Sequence, residues 1–235
     1  MNKTLYAIHK WISAVAFIQL TIWTMTGTLF VVLSQDAMKS TPVENAHRGA
    51  LDAPPPITVA RALEVAGSEP GAVERVELRG TPSGPTYLVK GDKGTVRIDA
   101  RTGALAPVTQ GEAETVARRD QPGSPAVRET TLVKEKPALE YRDGALPAYR
   151  VALADAAGTV VYVDATTGDV TQRRNDAWRT YDLIWALHIM DYRGREHFNH
   201  PLIFIAAALA LGTVLSGIVL LGVRGARWVT RRARG

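Results

Sequence analysis

Two long uncharged stretches dominate the pattern of hydrophobic and polar positions. No Asp, Glu, Lys or Arg occurs from Trp11 to Gln35 or from Phe198 to Val223. Each stretch exceeds the roughly 20 residues that a helix needs to cross the hydrocarbon core of a bilayer. The pattern predicts one transmembrane helix in residues 1–34 and a second in residues 201–223, with a polar, mixed-charge region between them.

The first stretch also resembles a signal peptide, because it follows a basic start. Its apolar run is much longer than the usual 7 to 15 residues, and no small-x-small cleavage pattern follows at 33–40. We therefore expect an uncleaved membrane helix.

The charges at the two ends indicate how the chain is oriented. The net charge is +5, but Lys3, Lys10 and the five arginines of residues 224–235 supply seven cations without an acidic residue. The remaining 21 basic and 23 acidic residues give the middle region a charge of about −2. By the positive-inside rule, both termini are predicted to be cytoplasmic and the middle region to lie outside. The basic excess then indicates a lipid bilayer as partner and not nucleic acid.

A repeat with an offset of 65 residues follows a predicted linker at 35–56. Residues 86–108 and 148–171 each show an alternating strand, a turn containing glycine, a second strand and an Asp-Ala-x-Thr-Gly segment. Helical patterns at 57–66 and 112–119 and further strand patterns at 72–79 and 127–134 precede them. The sequence therefore predicts two tandem helix–three-strand units, 57–108 and 109–175, with hairpin turns at 91–94 and 155–158. The fold class is membrane α plus α+β.

The repeated Asp-Ala-x-Thr-Gly segment has a structural interpretation. Asp99 and Asp164 are expected to cap a tight turn with their side chains, and Gly103 and Gly168 to supply positive φ. A catalytic carboxylate pair is not expected at equivalent positions of two modules.

Residues 176–200 combine an aromatic stripe with a charged turn. The stripe has the 3, 4, 3, 4 spacing of one helix face, and its members are Trp178, Tyr181, Trp185, His188 and Tyr192. Polar-tipped aromatic residues beside a membrane span are typical of the headgroup interface. The charged turn, Asp191–Glu196, is predicted either to lock the outer region onto the helices or to dock a redox partner.

The second apolar stretch carries small residues at a four-residue spacing. Ala208, Gly212 and Ser216 form a small-xxx-small face, which favours close approach of another helix. The neighbour is either the first helix or a second copy of the chain.

Three segments resemble one known family. They are Leu5–Trp11 with its His-Lys-Trp ending, Thr26-Gly27-Thr28, and Leu187–Arg195 with its His-x-Met-Asp-Tyr-Arg-Gly-Arg pattern. Together they resemble the PepSY-associated transmembrane family of bacterial inner-membrane proteins, and the middle region resembles tandem PepSY domains.

The resemblance implies an inner-membrane location with a periplasmic middle domain. Larger relatives with four or more spans are associated with iron uptake, including periplasmic siderophore reduction. Some of them carry haem through intramembrane histidines or are fused to flavin reductase domains. This chain has two predicted spans and no reductase-like region, which favours an accessory role over catalysis by the chain alone.

Five histidines are the candidate ligands, namely His9, His47, His188, His197 and His200. A bis-histidine haem needs its two ligand nitrogens within roughly 4 to 5 Å of each other. A membrane-spanning helix separates His9 from His188 by about 30 Å. One chain therefore cannot use both for one haem, and a homodimer or a membrane redox partner subunit must supply the second ligand.

His188 is the favoured ligand of haem b, because its aromatic neighbours suit a porphyrin face and Arg193 and Arg195 can pair with propionates. The other interpretation makes His188 an interfacial residue bonded to Asp191 or to lipid phosphate. For His9 the same two interpretations, ligand or structural residue, stay open. His197 and His200 are expected in hydrogen bonds at the start of the last helix, without a metal, and His47 is assigned no role.

Two functions follow as hypotheses. The first is an accessory protein in periplasmic electron transfer or iron and siderophore handling, as a subunit of a larger complex. The second is a non-redox scaffold or regulator whose PepSY units bind a periplasmic enzyme or protease. The chain has no serine or cysteine nucleophile motif and no His-Glu-x-x-His, so no catalytic residue is assigned. With no cysteine, disulfides, c-type haem and Cys-ligated clusters are excluded.

Overall fold

The computed structural model describes residues 3–33, 49–51, 53–135, 139–142 and 144–232. The chain forms two compact units: a helical unit of residues 1–34 and 180–235, and a sheet domain of residues 35–179. Most of the predicted linker 35–56, including His47, lies outside the described residues.

Twelve helices and strands make up the described parts of the two units. In chain order they are α1 (Lys3–Val32), α2 (Val59–Ala66), β1 (Val73–Thr81), β2 (Gly84–Gly91), β3 (Gly94–Asp99), α3 (Gln110–Asp120), β4 (Val127–Val133), β5 (Ala148–Leu153), β6 (Val160–Asp164), β7 (Val170–Arg174), α4 (Asp176–Ile189) and α5 (Pro201–Arg232).

α1 and α5 are the two helices of the described chain that are long and apolar enough to cross a membrane. α5 continues nine residues past the predicted end of the span at 223, so the basic tail is helical as far as Arg232. Arginine is a good helix former, and its long side chain can reach the headgroup region while its stem stays on apolar surface.

The first repeat is an antiparallel sheet in the order β1-β2-β3 with α2 packed on one face. The Thr58 side chain accepts a hydrogen bond from the Arg61 N–H and so caps the start of α2. The sheet and the helix bury a shared apolar core, which includes Ala62, Ala66, Tyr87, Val89 and Ile98.

The second repeat has the same plan, with one strand more than predicted. Its antiparallel sheet has the order β4-β5-β6-β7, and α3 packs against it after a cap at Thr109. The prediction of three strands was therefore wrong for this unit. In the first repeat the residue equivalent to Val170 is Leu105, which makes a single bridge to Ile98. Pro107 follows two residues later and cannot donate to a continuing ladder.

Both Asp-Ala-x-Thr-Gly turns have the expected geometry. The Asp99 carboxylate accepts backbone N–H bonds from Arg101 and Thr102, and Asp164 accepts them from Thr166 and Thr167. Gly103 and Gly168 have φ of 73° and 80°. Slight burial raises the pKa of Asp99, but the hydrogen bonds from Arg101 and Thr102 outweigh it and lower that pKa. Both aspartates are turn residues, as predicted.

A buried ion pair joins the two repeats. Arg97 of β3 binds both carboxylate oxygens of Glu112 on α3, with a distance of 2.9 Å for the Nη1–Oε2 contact. The side chains are 2% and 3% exposed. In the second repeat, Arg173 of β7 likewise binds the buried Asp120. The interior charges of the sheet domain therefore hold its own elements together.

Candidate functional site

Small residues on α5 allow close contact with α1. A Cβ atom added to Gly212 would lie 3.9 Å from Ile12 Cγ2, and one added to Gly217 would lie 3.4 Å from His9 Cε1. Ser216 lies between these two glycines and touches His9 directly. The small-xxx-small face thus lies against the first helix, which was one of the two predicted neighbours.

The first polar group between these helices is half-buried and consists of His9 and Ser216. His9 Nδ1 lies 2.7 Å from Ser216 Oγ, and that hydroxyl donates its proton to the Gly212 carbonyl at 2.6 Å. A hydroxyl has one proton, so both contacts are hydrogen bonds only when Nδ1–H of His9 donates to Ser216. Ser13 Oγ is more distant from the same nitrogen, at 3.5 Å. When the ring is neutral, this tautomer leaves His9 Nε2 without a proton, as a hydrogen-bond acceptor or ligand.

The second polar group, His188 with Thr26, repeats this arrangement. His188 Nδ1 lies 2.8 Å from Thr26 Oγ1, and that hydroxyl donates to the Ile22 carbonyl at 2.7 Å. Thr26 is 4% exposed, so water does not compete for its proton. By the same count of protons, Nδ1–H of His188 donates to Thr26, and in the neutral ring Nε2 then carries a lone pair. A ligand histidine usually has its other ring N–H held in this way by a neighbouring acceptor.

The two histidine groups are far apart. His9 and Thr26 are separated by 17 residues on α1, and a rise of 1.5 Å per residue places them about 25 Å apart along the helix. A single chain therefore does not bring His9 and His188 to one iron.

The aromatic stripe is divided between the two units. Tyr181, Trp185 and His188 pack around Phe30 of α1, with ring centroids 5.0, 6.1 and 5.4 Å from it. These three residues contact another helix, whereas the sequence predicted a surface facing the headgroups. Trp178 belongs to the sheet domain, where the Arg174 guanidinium lies 4.0 Å from its ring centroid.

Tyr192 does not belong to this stripe, and the predicted helix face was wrong at that end. α4 ends at Ile189, and Met190 has φ of 60°, which turns the chain. The carbonyls at the helix end are capped by neighbours, as Trp23 Nε1 donates to the His188 carbonyl at 2.7 Å. His200 Nε2 lies 3.0 Å from the Ile189 carbonyl and donates to it. The His200 side chain therefore caps a carbonyl at the C-terminal end of α4.

The charged turn is organised by two carboxylates. Asp191 accepts backbone N–H bonds from residues 193, 194, 196 and 197. Slight burial raises the pKa of Asp191, but these four bonds outweigh it and lower the pKa to about 2. Arg195 binds the buried Asp182 of α4 at 2.6 Å. Of the two predicted propionate partners, Arg195 has this internal partner and Arg193 is exposed.

A cavity beside His9 adds two cations, Arg224 and Arg227, that were not among the predicted site residues. It has a volume of about 350 Å³ and an apolar lining, formed by Leu5, Tyr6, His9, Gly217, Leu220, Leu221, Val223, Arg224 and Arg227. The sequence contains a pattern that could have identified these cations. The spacing from Gly217 to Arg224 and Arg227 puts both arginines on the face of α5 that carries Gly217. None of the described residues that line this cavity is acidic.

Metal binding by clustered side chains has no support in the described part of the chain. No group of three or more His, Asp or Glu residues there could hold a metal ion. His197 is exposed in the charged turn.

Comparisons with known proteins agree with the architecture. A family model described as the PepSY-associated TM region matches residues 6–235. A search of curated proteins and a search of solved structures gave no match. Because the family match covers nearly the whole chain and two helices can span a bilayer, the chain belongs to the PepSY-associated transmembrane family and is a membrane protein.

Proposed function

We propose that this protein is a bacterial inner-membrane accessory subunit in periplasmic electron transfer or iron and siderophore handling. The observation that carries the proposal is the shared arrangement of His9 and His188. Each ring has its Nδ1–H held by a hydroxyl of a neighbouring helix, so each Nε2 is available as a ligand. In this proposal both termini lie in the cytoplasm and the sheet domain lies in the periplasm, because the basic residues near the termini favour the cytoplasmic side.

The donor set fits haem b shared between chains. His9 and His188 could each hold haem through one ring nitrogen, and a second copy or another membrane subunit would supply the second ligand. Bound haem would supply a one-electron carrier. The chain's own contribution is to fix the orientation of each imidazole and to exclude water from its Nδ1.

Of the two histidine groups, the one at His9 has more of the features expected of a haem site, whereas the sequence favoured His188. It lines a cavity with an apolar wall, and Arg224 and Arg227 supply cations for propionates without an acidic neighbour in the lining. At His188, Arg195 is bonded to Asp182, so Arg193 is the partner that remains from the predicted pair.

The test is the visible spectrum of the protein purified from haem-replete cells in mild detergent, before and after dithionite. We expect a Soret band and sharpened α and β bands on reduction. His9→Ala should remove most of the haem and His188→Ala any remainder, while His197→Ala, at an exposed position, should change nothing. A colourless preparation, or a spectrum that neither His9→Ala nor His188→Ala alters, would contradict the proposal.

The second candidate is a scaffold or regulator whose sheet domain binds a periplasmic enzyme or protease. One observation favours it: the buried carboxylates of the described sheet domain, Glu112, Asp120 and Asp164, are all bonded within the domain. These carboxylates hold the fold together, so the polar groups that remain for a partner are those on the surface of the domain. A colourless protein that binds a defined partner through the sheet domain would favour this candidate.

A further inference from the structure

The helical unit has no carboxylate side chain at the end where its basic residues lie. Residues 1–35 and 197–235 contain no Asp or Glu, whereas Arg224 follows directly after the apolar span of α5 and Arg227 lies one turn later. Among the described residues, neither arginine has an ion-pair partner. A guanidinium stays charged at physiological pH. The counterions of Arg224 and Arg227 therefore come from outside the chain.

Both arginines line the cavity beside His9, at the level where the apolar span ends. Their spacing of three residues puts their Cβ atoms about 5 to 6 Å apart on one helix face, which is close enough for both to bind one phosphate group. Trp228 is exposed beside them, and the Arg232 guanidinium lies 5.0 Å from its ring centroid. Exposed tryptophan at the end of a span is typical of the membrane–water interface. The arginine end of the cavity therefore lies at the headgroup level.

The rest of this cavity extends into the apolar part of the span. Its wall there is formed by Leu5, Gly217, Leu220, Leu221 and Val223, and the whole cavity has a volume of about 350 Å³. A ligand that matches both ends has a negatively charged group attached to an apolar body. A phospholipid with an acidic headgroup has both parts. A soluble anion would neutralise the arginines but would leave the apolar wall uncovered.

We propose that this cavity binds one anionic phospholipid, with its phosphate between Arg224 and Arg227 and one acyl chain along Leu220 and Leu221. In the orientation proposed above, the site opens to the cytoplasmic leaflet, and basic pockets between membrane helices on that side bind acidic lipid headgroups. This inference goes beyond the proposed function, because it needs no haem. A chain that holds a lipid here cannot hold haem in the same cavity, so the two ligands are expected to compete.

The experiment uses the full-length protein, produced without haem and purified in mild detergent. Native mass spectrometry counts the lipids bound per chain after addition of equal amounts of phosphatidylglycerol and deuterated phosphatidylcholine with the same acyl chains. We expect one phosphatidylglycerol per chain, bound at least about tenfold more tightly than phosphatidylcholine. A wash with inorganic phosphate, the probe for a soluble anion, should not remove the bound lipid.

Single substitutions locate the site. Arg224→Gln and Arg227→Gln should each weaken the binding of phosphatidylglycerol about fivefold, and the double variant about thirtyfold. Arg232→Gln is the matched control, because it removes the same charge from the same end of α5 but does not line the cavity. Its affinity should stay within about twofold of the unmodified protein. Leu220→Trp fills the apolar wall and should weaken binding with every charge retained.

Equal affinity for the two lipids, or equal losses in the Arg224 and Arg232 variants, would overturn the proposal. Displacement of the lipid by inorganic phosphate would also overturn it, since the arginines would then bind a soluble anion. The visible spectrum separates this result from the proposed function. A colourless protein that selects phosphatidylglycerol contradicts the electron-transfer function alone, and a haem protein without lipid selectivity contradicts this inference alone.

Discussion

The sheet domain and the helical unit satisfy their buried polar groups in different ways. The sheet domain pairs carboxylates with arginines or backbone N–H groups, as at Glu112, Asp120 and Asp164. The helical unit has one such pair, Asp182 with Arg195, and in addition uses hydroxyl groups that donate to the preceding turn and accept from histidine, as at Ser216 and Thr26. In the carboxylate pairs, both partners bond to groups within the fold. Each histidine that bonds to a hydroxyl, in contrast, keeps its second ring nitrogen available. This difference places the candidate chemistry in the helical unit.

The largest expected effect is loss of the ion pair that joins the two repeats. Glu112→Gln leaves the buried Arg97 charge without its carboxylate, and breaking such a pair costs about 3 to 5 kcal/mol. The free energy of unfolding of the sheet domain, from urea-dependent hydrogen exchange, should fall by that amount. Glu64→Gln is the control, because the Arg61–Glu64 pair is exposed and should contribute less than about 0.5 kcal/mol. Equal losses would show that burial does not distinguish the pairs.

In the helical unit, the corresponding substitution is Asp182→Asn. It weakens the bond from Arg195 to a buried carboxylate, and the loss expected for a charged hydrogen bond is about 1 to 3 kcal/mol. The measurement is the midpoint of thermal unfolding of the full chain in detergent. Arg193→Gln changes an exposed residue of the same turn and should leave the midpoint unchanged. A larger effect of the Arg193 variant would contradict the assigned contacts.

A smaller structural change should alter the chemistry of His188. Thr26→Val removes the hydroxyl that accepts from Nδ1–H, so His188 should change from one tautomer to a mixture, while Thr26→Ser should keep the original state. Histidine ¹⁵N chemical shifts of the protein without haem report the tautomer. If the valine and serine variants give the same shifts, Thr26 does not position the ring.

The smallest expected effect concerns acid stability of the charged turn. The pKa of Asp191 is lowered from 3.8 to about 2 by four backbone N–H bonds. A carboxylate with a lowered pKa in the folded state stabilises it above the unfolded pKa. The contribution is therefore complete above about pH 4 and lost as the pH falls towards 2. Protection factors at residues 193–197, which compare each amide with its intrinsic exchange rate at the same pH, should fall over that interval in the unmodified protein, and Asp191→Ala should show low protection at every pH.

The apolar periodicity, the Asp-Ala-x-Thr-Gly repeat and the small residues of α5 were enough to predict the two long helices, the hairpins and both turns. The fourth strand of the second sheet was not predictable in the same way, because Val170–Arg174 is short and polar and gains its place by pairing with β6. The end of α4 was missed since Met190 adopts positive φ without being glycine. The histidine partners were also missed, because Thr26 and Ser216 are brought to the rings by helix packing and not by sequence proximity.

The most direct test of the account is the tautomer of each histidine in the unmodified protein without haem. Selectively ¹⁵N-labelled histidine, assigned with the His9→Ala and His188→Ala variants, distinguishes a protonated Nδ1 from a protonated Nε2. At neutral pH we expect Nδ1–H for both His9 and His188, with Nε2 unprotonated. A protonated Nε2 together with an unprotonated Nδ1 on either ring would contradict the assignment for that ring. It would show that the hydroxyl donates to the imidazole and that the nitrogen is not held ready as a ligand.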